Sequence, residues 1–187
     1  MDKKETRKFL LQKRREIPKD KKVIYDKEIS KQIIESDFYK KAENVLVFAS
    51  AENEFDTSFI IDKCKADKKN VYYPICIDNE GKMEFRKVDS NDDLQIGMYN
   101  IPEPKAHCEN YHQQKNDIII VPCLSVDKNG YRIGYGKGYY DRFLKDFTGV
   151  SICPCYNELQ SDILPTDKFD VKINILVTQH ILKEVIL

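Results

Sequence analysis

Three short apolar runs, each about the length of one buried strand, limit the fold of this chain more than any other feature. They cover residues 45–49, 71–75 and 118–121. Short runs of this kind, without polar alternation, are typical of strands that are covered on both faces. Further strands are expected at 150–156 and 175–178. Residues 83–88 alternate moderately, which suits either a hairpin arm or an edge strand.

Helical patterns separate these strands. Residues 2–16 carry Phe9 and Leu10 on one possible face, and Pro18 ends this segment and can begin a second helix over 19–36. A helix capped by Asp56 and Thr57 is expected to run to residue 64, and residues 139–147 look helical. The alternation predicts an α/β fold with three layers, in which a parallel-rich mixed sheet has helices on both faces.

Charge and cysteine usage exclude several classes of protein. The 187 residues carry 31 cationic and 31 anionic side chains, so no net charge draws the chain to nucleic acid or to a membrane. No apolar run is long enough to span a bilayer, and the charged N-terminal segment does not predict a secretory signal. The six scattered cysteines form no CxxC pair and are expected to be reduced, mostly buried thiols in a cytoplasmic protein, with a zinc site disfavoured.

Four of the seven glycines fall between residues 130 and 138, and they alternate with cations and aromatic residues. Glycine lets backbone N–H groups approach a ligand closely, and a helix that begins there adds the positive end of its dipole. Arg132 and Lys137 can meet phosphate, and Asp141 can hold a metal ion. We therefore interpret this segment as a phosphate-binding loop, with a tight strand-to-helix turn as the alternative.

Two familiar nucleotide motifs do not fit the segment. A Walker A loop has four residues between its first glycine and its Gly-Lys pair, followed by Ser or Thr. Here five residues separate Gly130 from Gly136, and Gly138 replaces the hydroxyl residue. The dinucleotide fingerprint would need glycine or alanine where Tyr139 stands.

Two other groups of charged residues could contact a ligand. Lys3 and Arg7 lie one helical turn apart and could hold an anion, although a solvated basic face is favoured by the sequence alone. Glu52, Glu54 and Asp56 follow a buried strand. They could bind the amines and amides of a polar heterocycle, or they could be ordinary acids in the first turn of a helix.

Further acids are candidates for metal binding or ligand contact. Asp141 and Asp170 are the candidate metal oxygens, although Asp170 could also be an ordinary loop residue. Glu103 stands between two prolines and either presents one carboxylate or belongs to a linker. The three histidines form no pair at ligand spacing, and no Ser/His/Asp order favours nucleophilic hydrolysis.

Taken together, these motifs resemble the 5-formyltetrahydrofolate cyclo-ligase family, also called methenyltetrahydrofolate synthetase. The central motif is Gly130-x-Arg-Ile-Gly-x-Gly-Lys-Gly-Tyr-Tyr-Asp-Arg142, preceded by Val121-Pro-Cys-Leu-Ser-Val-Asp127. Supporting motifs in the family's order are Lys3-x-x-x-Arg7, Glu54-x-Asp-Thr57, Ile101-Pro-Glu-Pro104 and Leu164-Pro-x-x-x-x-Asp170. The resemblance implies an ATP-dependent closure of 5-formyltetrahydrofolate to 5,10-methenyltetrahydrofolate with release of ADP and phosphate.

The resemblance also assigns roles to individual residues. The implied ATP-binding residues are Lys3, Arg7, Arg132, Ile133, Gly134, Tyr135, Gly136, Lys137, Gly138, Tyr139 and Tyr140. The implied folate-binding residues are Ala49, Glu54, Tyr135, Gly136, Lys137, Gly138 and Tyr139. Asp141 and Asp170 would hold Mg²⁺, and Arg132, Lys137 and Tyr139 would be catalytic. Asn174 stands where the family commonly has aspartate and is left out of the metal set, because an amide lacks the charge.

The resemblance sets the expected organisation and partners. Residues 1–187 would form a single catalytic domain, with residues 1–36 contributing to the nucleotide site. ATP is the co-substrate, Mg²⁺ the cofactor and reduced folate the substrate, and no nucleic acid, membrane or obligate protein partner is implied. A kinase-like transferase on the same scaffold and a non-catalytic binding module remain alternatives, because a fold does not determine function.

Overall fold

The computed structural model describes residues 1–185, and its main element is a sheet of seven strands. The strands in chain order are β1 (Asn44–Leu46), β2 (Asn70–Cys76), β3 (Met83–Lys87), β4 (Leu94–Ile96), β5 (Pro102–Pro104), β6 (Ile118–Ile120), β7 (Ser125–Val126), β8 (Arg132–Ile133), β9 (Val150–Pro154), β10 (Ile175–Val177) and β11 (Leu182–Glu184). The helices are α1 (Lys3–Arg15), α2 (Lys19–Glu35), α3 (Asp37–Lys41), α4 (Ser58–Ala66) and α5 (Tyr139–Asp146).

The strand order of the main sheet is β11-β10-β9-β6-β1-β2-β3. The five central strands are parallel, and β3 and β11 pair antiparallel at the two edges. The remaining strands form two small sheets, β4 with β5 and β7 with β8. The predicted α/β fold with a mixed, mostly parallel sheet is confirmed, and residues 83–87 are both a hairpin arm and an edge strand.

Helices cover both faces of the sheet because its central strands are apolar on both sides. On one face, Val45, Ile118 and Ile152 pack with the buried residues Ile33 of α2 and Ile60 of α4. On the other face, the strand residues Leu46, Ile119 and Tyr72 pack with Tyr139 and Leu144 of α5. Burial on both sides explains why the strand sequences are continuous apolar runs.

The N-terminal helix α1 packs outside the main sheet. Its Leu10 contacts Leu124, Ile133 and Leu164 in a small separate core. Asp2 caps this helix by accepting hydrogen bonds from the backbone N–H groups of Lys4 and Glu5. This packing holds α1 against the β7–β8 hairpin, which leads directly into the glycine-rich segment.

Several local predictions differ from the structure. The first strand ends at Leu46, with one further ladder bond from the Val47 N–H to the Tyr72 carbonyl. The side chain of Thr57 does not cap α4. It donates to the Phe48 carbonyl at 2.9 Å, while Asp56 accepts from the Ser58 N–H.

None of the six cysteines is in a disulfide, and four of them are buried.

Candidate functional site

The glycine-rich segment has two parts with different structures, which the sequence did not reveal. Residues 125–133 form the β7–β8 hairpin, and Gly130 lies in its turn with φ +84°. The Gly130 N–H donates to the Asp127 carbonyl, and its own carbonyl accepts from Ile173. Gly130 therefore belongs to a structural turn rather than to a phosphate loop, which corrects the extent of the predicted loop. We call residues 134–138 the glycine loop.

The backbone of the glycine loop is available to a ligand. Among the described residues, no acceptor takes the N–H groups of residues 134–138. Gly136 and Gly138 have φ values of +99° and +73°, which side chains rarely adopt. Gly138 also precedes α5, whose N-terminus has no side-chain cap. Unpaired N–H groups at the start of a helix favour an anion.

Two cations lie beside this loop. Lys137 is exposed, makes no ion pair with any described residue, and its Nζ lies 6.0 Å from the centre of the Tyr99 ring. Arg7 of α1 donates from Nε to the Gly134 carbonyl at 3.0 Å. Its guanidinium lies so close to Gly136 that a Cβ there would be 3.0 Å from Arg7 Cζ. The helix packing thus brings one predicted phosphate-binding cation against the loop.

Lys3, the second predicted cation of α1, is already engaged by carboxylates. Its Nζ donates to Asp167 at 2.7 Å and to both oxygens of Asp170 at 2.6 Å. Partial burial opposes the charge on Lys3, but the hydrogen bonds to the two carboxylates dominate and raise its pKa. The hydrogen bond from Lys3 lowers the pKa of Asp167.

Arg132 and Asp141 form a second, more buried ion pair. Arg132 Nη2 lies 3.1 Å from Asp141 Oδ1, and its Nη1 donates to the Val171 carbonyl at 2.9 Å. The Arg132 side chain is only 4 % exposed. The same Asp141 oxygen accepts from the Val171 N–H at 3.1 Å, which holds the segment carrying Asp170 against α5.

The residues present suit a magnesium ion. The fold brings Asp141 next to the neighbour of Asp170 along the chain, although the two acids lie far apart in sequence. Mg²⁺ prefers one or two carboxylates together with phosphate oxygens and water. The two carboxylates would supply the protein oxygens, and a phosphate held by the neighbouring loop N–H groups would supply others. Here the two acids are neutralised by Arg132 and Lys3.

A recess lies beyond the carboxyl ends of β1, β6 and β9. Its lining includes Glu54, which is 9 % exposed, and Arg14 from α1. Glu54 is held by the Ala51 N–H, which donates to Oε2 at 2.9 Å. Ala49 follows β1 on the same connection and is partly exposed. Tyr135 of the glycine loop contacts Arg14 of this lining, because its hydroxyl accepts from Arg14 Nη1 at 3.3 Å.

The structure separates the three acids that follow β1. Glu54 lines the recess, whereas Glu52 is exposed and lies 3.3 Å from Lys19, and Asp56 caps α4. Glu54 is therefore the acid placed for a ligand. Glu103 is buried and accepts from the Cys76 N–H, which joins the small β4–β5 sheet to the main sheet.

The predicted aromatic contacts divide in a similar way. Tyr139 donates its hydroxyl hydrogen to the Asp78 carbonyl at 2.6 Å, and its oxygen lies 3.2 Å from the Tyr99 hydroxyl. Burial, together with the neighbouring Tyr99, raises the pKa of Tyr139, so the phenol is neutral at physiological pH. The side chains of Tyr140 and Ile133 pack into hydrophobic cores, which leaves mainly their backbones for nucleotide contact.

Two features of the structure were not anticipated. Arg14 lies seven residues after Arg7, hence on the same side of α1, and this spacing was the available signal. In the described part of the chain, Asp93, His107 and Cys108 also come together with ligand atoms within 4.8 Å of one another. Asp93 already caps a turn by accepting from the Ser90 N–H, so this group has a structural explanation.

No helix within residues 1–185 is long and apolar enough to cross a membrane.

Comparisons with known proteins agree with this geometry. A model of the 5-formyltetrahydrofolate cyclo-ligase family matches residues 1–179. A probable 5-formyltetrahydrofolate cyclo-ligase of Schizosaccharomyces pombe is 28 % identical over 166 residues, which are 80 % of this chain and 81 % of that protein. The 5-formyltetrahydrofolate cyclo-ligase of Haemophilus influenzae is 30 % identical over 71 % of this chain and 73 % of its own length.

A solved structure extends the similarity to the fold. The NMR structure of 5,10-methenyltetrahydrofolate synthetase from Aquifex aeolicus superposes with a TM-score of 0.87 at 28 % identity. The alignment covers 99 % of this chain and 93 % of the other. The similarity therefore includes α1, the glycine loop and the strands around the recess.

Proposed function

The chain belongs to the 5-formyltetrahydrofolate cyclo-ligase family, and from this premise we propose that its glycine loop holds ATP while the Glu54 recess holds the folate. The enzyme is a ligase of folate one-carbon metabolism that converts 5-formyltetrahydrofolate to 5,10-methenyltetrahydrofolate, with ATP as co-substrate. The observation that carries the proposed site is the set of N–H groups over residues 134–138 that no acceptor takes within the described part of the chain, beside the exposed Lys137.

In this proposal the triphosphate lies across the glycine loop. The loop N–H groups and the N-terminus of α5 donate to phosphate oxygens, and Lys137 and Arg7 supply positive charge. Lys3 and Arg132 join them by exchanging a carboxylate partner for phosphate, since each is paired with a predicted metal ligand. The whole chain acts as one catalytic domain, to whose nucleotide site residues 1–36 contribute through α1.

Asp141 and Asp170 would hold Mg²⁺ in the same exchange. Both carboxylates are occupied by cations in this structure, and phosphate would take over those cations as the acids turn to the metal. When bound, Mg²⁺ neutralises charge on the phosphate oxygens. In this proposal Lys3 and Arg132 change from carboxylate to phosphate, and Asp170 and Asp141 change from these cations to the metal, so that every charge keeps a partner of opposite sign.

The chemistry requires mainly positioning and charge neutralisation. The formyl oxygen on N5 attacks the γ-phosphorus, and the bond to ADP breaks. N10 then attacks the activated carbon, the C–O bond to phosphate breaks, and N10 loses its proton as the ring closes. We propose that Lys137, Arg132 and the loop N–H groups stabilise charge on the transferring phosphoryl group. Tyr139, as a neutral phenol, contributes hydrogen bonding rather than a base.

Turnover with purified protein tests the proposed function. 5-Formyltetrahydrofolate and Mg-ATP should produce the absorbance of the methenyl product together with one phosphate per turnover. Absence of product, when calorimetry shows that both ligands bind, would refute the activity. A stable phosphorylated folate in place of free phosphate would instead indicate the transferase alternative. The expected cytoplasmic location stays a prediction.

A further inference from the structure

The guanidinium of Arg14 is buried near the end of α1, and one of its three nitrogens has no acceptor among the described residues. Arg14 is 7 % exposed. Its Nη2 donates to the Cys123 carbonyl and its Nη1 to the Tyr135 hydroxyl. Its Nε is buried and has no acceptor among the residues that the structure describes. A buried cationic donor without an acceptor costs free energy, and a ligand that supplies the acceptor would recover it.

Arg14 lines the same recess as Glu54, whose carboxylate accepts from the Ala51 N–H and has no cationic partner among the described residues. Arg14 and Glu54 both line the cavity, and no ion pair joins them among the described residues. The apolar part of the lining includes the rings of Phe48, Phe55 and Tyr156. The cavity has a volume of about 10 Å³, which is room for about one water molecule.

The Tyr135 hydroxyl shows what kind of group can accept a hydrogen bond from Arg14. It accepts from Arg14 Nη1 at 3.3 Å. Burial of this hydroxyl and the charge of the nearby Glu54 raise the pKa of Tyr135, so it keeps its proton at neutral pH. The hydroxyl end thus sits between a donor and a carboxylate, while half of the residue remains exposed on the glycine loop. An acceptor next to a donor is also the pattern of an amide edge.

We propose that Arg14 is a specificity-determining residue that donates to the ring carbonyl of the folate, beside Glu54, which accepts from the adjacent ring N–H and amino groups. The bicyclic ring of folate carries these groups side by side on one edge, so that an edge of the ring could meet Arg14 and Glu54 together. The ring edge takes the place of the Tyr135 hydroxyl. This inference rests on the proposed function, because it takes reduced folate as the ligand.

The test compares two ligands that differ in the ring carbonyl and in the hydrogen on the ring nitrogen beside it. One is 5-formyltetrahydrofolate, and the other is its analogue with an amino group in place of the ring carbonyl, which presents a donor to Arg14. Wild-type protein should bind the carbonyl form at least about tenfold more tightly, because a charged donor would lose its acceptor. In Arg14→Gln this preference should shrink to about twofold. Arg15→Gln is the matched control, since Arg15 is the exposed neighbour on α1 and should keep the wild-type preference.

Calorimetry on the full chain gives both dissociation constants and that of ATP, which should stay within about twofold in all variants. The ratio of the two folate constants is taken on one protein sample, so a partly unfolded variant does not change it. If Arg14→Gln does not fold, Arg14→Lys provides the second variant. It retains the positive charge but loses Nε, and the preference should fall at least about fivefold.

An unchanged preference in the Arg14 variants would overturn the proposal. Equal weakening of both folates and of ATP would also overturn it, because it would assign Arg14 a structural role only. Failure of the proposed function gives a different result. If the wild-type protein discriminates between the two ligands through Arg14 but shows no turnover, the role of Arg14 in recognition stands and the proposed activity is refuted.

Discussion

Residues 130–133 and residues 134–138 belong to one glycine-rich stretch, yet the structure uses the two halves in opposite ways. In the first half, Gly130 forms a hairpin turn and Arg132 is buried against Asp141 and the Val171 carbonyl. In the second half, the backbone N–H groups have no partner among the described residues, and Lys137 is exposed. Both halves offer glycine and a cation, but only the second leaves them available.

Partners, and not composition, therefore decide which part of such a segment can meet a ligand without first giving up a contact. A cation with a fixed acid and a carbonyl contributes to folding, whereas a cation without either can respond to a phosphate. We therefore expect substitutions in the first half to change the free energy of unfolding, in addition to the proposed effect of Arg132 on catalysis. Substitutions in the second half should change nucleotide affinity.

The largest effect is expected for Arg132→Ala. The substitution leaves Asp141 without its cation and the Val171 carbonyl without a donor, so the free energy of unfolding should fall by about 3 kcal/mol. Urea denaturation followed by circular dichroism measures it. Lys137→Ala serves as the control from the other half and should change stability by less than about 0.5 kcal/mol. Equal stability of the two variants would remove the distinction.

Lys137→Ala should have its effect on nucleotide binding instead. Loss of one charge-assisted hydrogen bond to phosphate is worth about 1.5–3 kcal/mol, so the Kd for ATP should rise about 10- to 100-fold. Isothermal titration calorimetry measures the affinity. Lys145→Ala removes an exposed lysine in the last turn of α5 and should leave the Kd unchanged. An ATP affinity equal to that of wild type would show that the exposed half does not hold phosphate.

Two glycine substitutions compare the backbones of the halves directly. Gly130 has φ +84°, and an added Cβ would lie 2.6 Å from Val185 Cγ1, so Gly130→Ala should cost about 1–2 kcal/mol. Gly134 has no positive φ, and no atom of residues 1–185 is recorded within 4 Å of an added Cβ. Gly134→Ala should therefore stay within about 0.5 kcal/mol of wild type. Urea denaturation would contradict this interpretation if Gly134→Ala were the less stable protein.

The smallest effect on stability is expected for Lys3→Gln. This substitution removes the partly exposed ion pair of Lys3 with Asp167, which can be compared with the buried pair of Arg132 and Asp141. Because the folded pKa of Lys3 is raised above 10.5 and that of Asp167 is lowered below 3.8, the pair stabilises the protein between these values. The stability difference from wild type should be present at pH 7. It should decline as pH falls below 3.8 or rises above 10.5. Thermal unfolding across pH measures it, and a difference that grows in acid would have the wrong sign.

Local patterns in the sequence were sufficient to predict the central strands and four of the five helices, but not the short strands β4, β5, β7, β8 and β11. Apolar runs without alternation predicted the central strands, since a parallel strand between two layers of helices is apolar on both sides. The glycines and Lys137 predicted a ligand loop before a helix, and the order of motifs along the chain indicated the family. These features depend on neighbours within a few residues, and such neighbours are visible in a sequence.

Which charges are paired and which are available depends on the tertiary fold and could not be predicted from the sequence. Arg132 and Lys137 stand five positions apart, but Asp141 and the Val171 carbonyl engage only the first. Of the three acids after β1, Glu54 alone lines the recess, where it lies with Arg14 from a helix forty residues earlier. The physical reason is that desolvation and pairing depend on distances through space, and the order of strands in the sheet sets those distances.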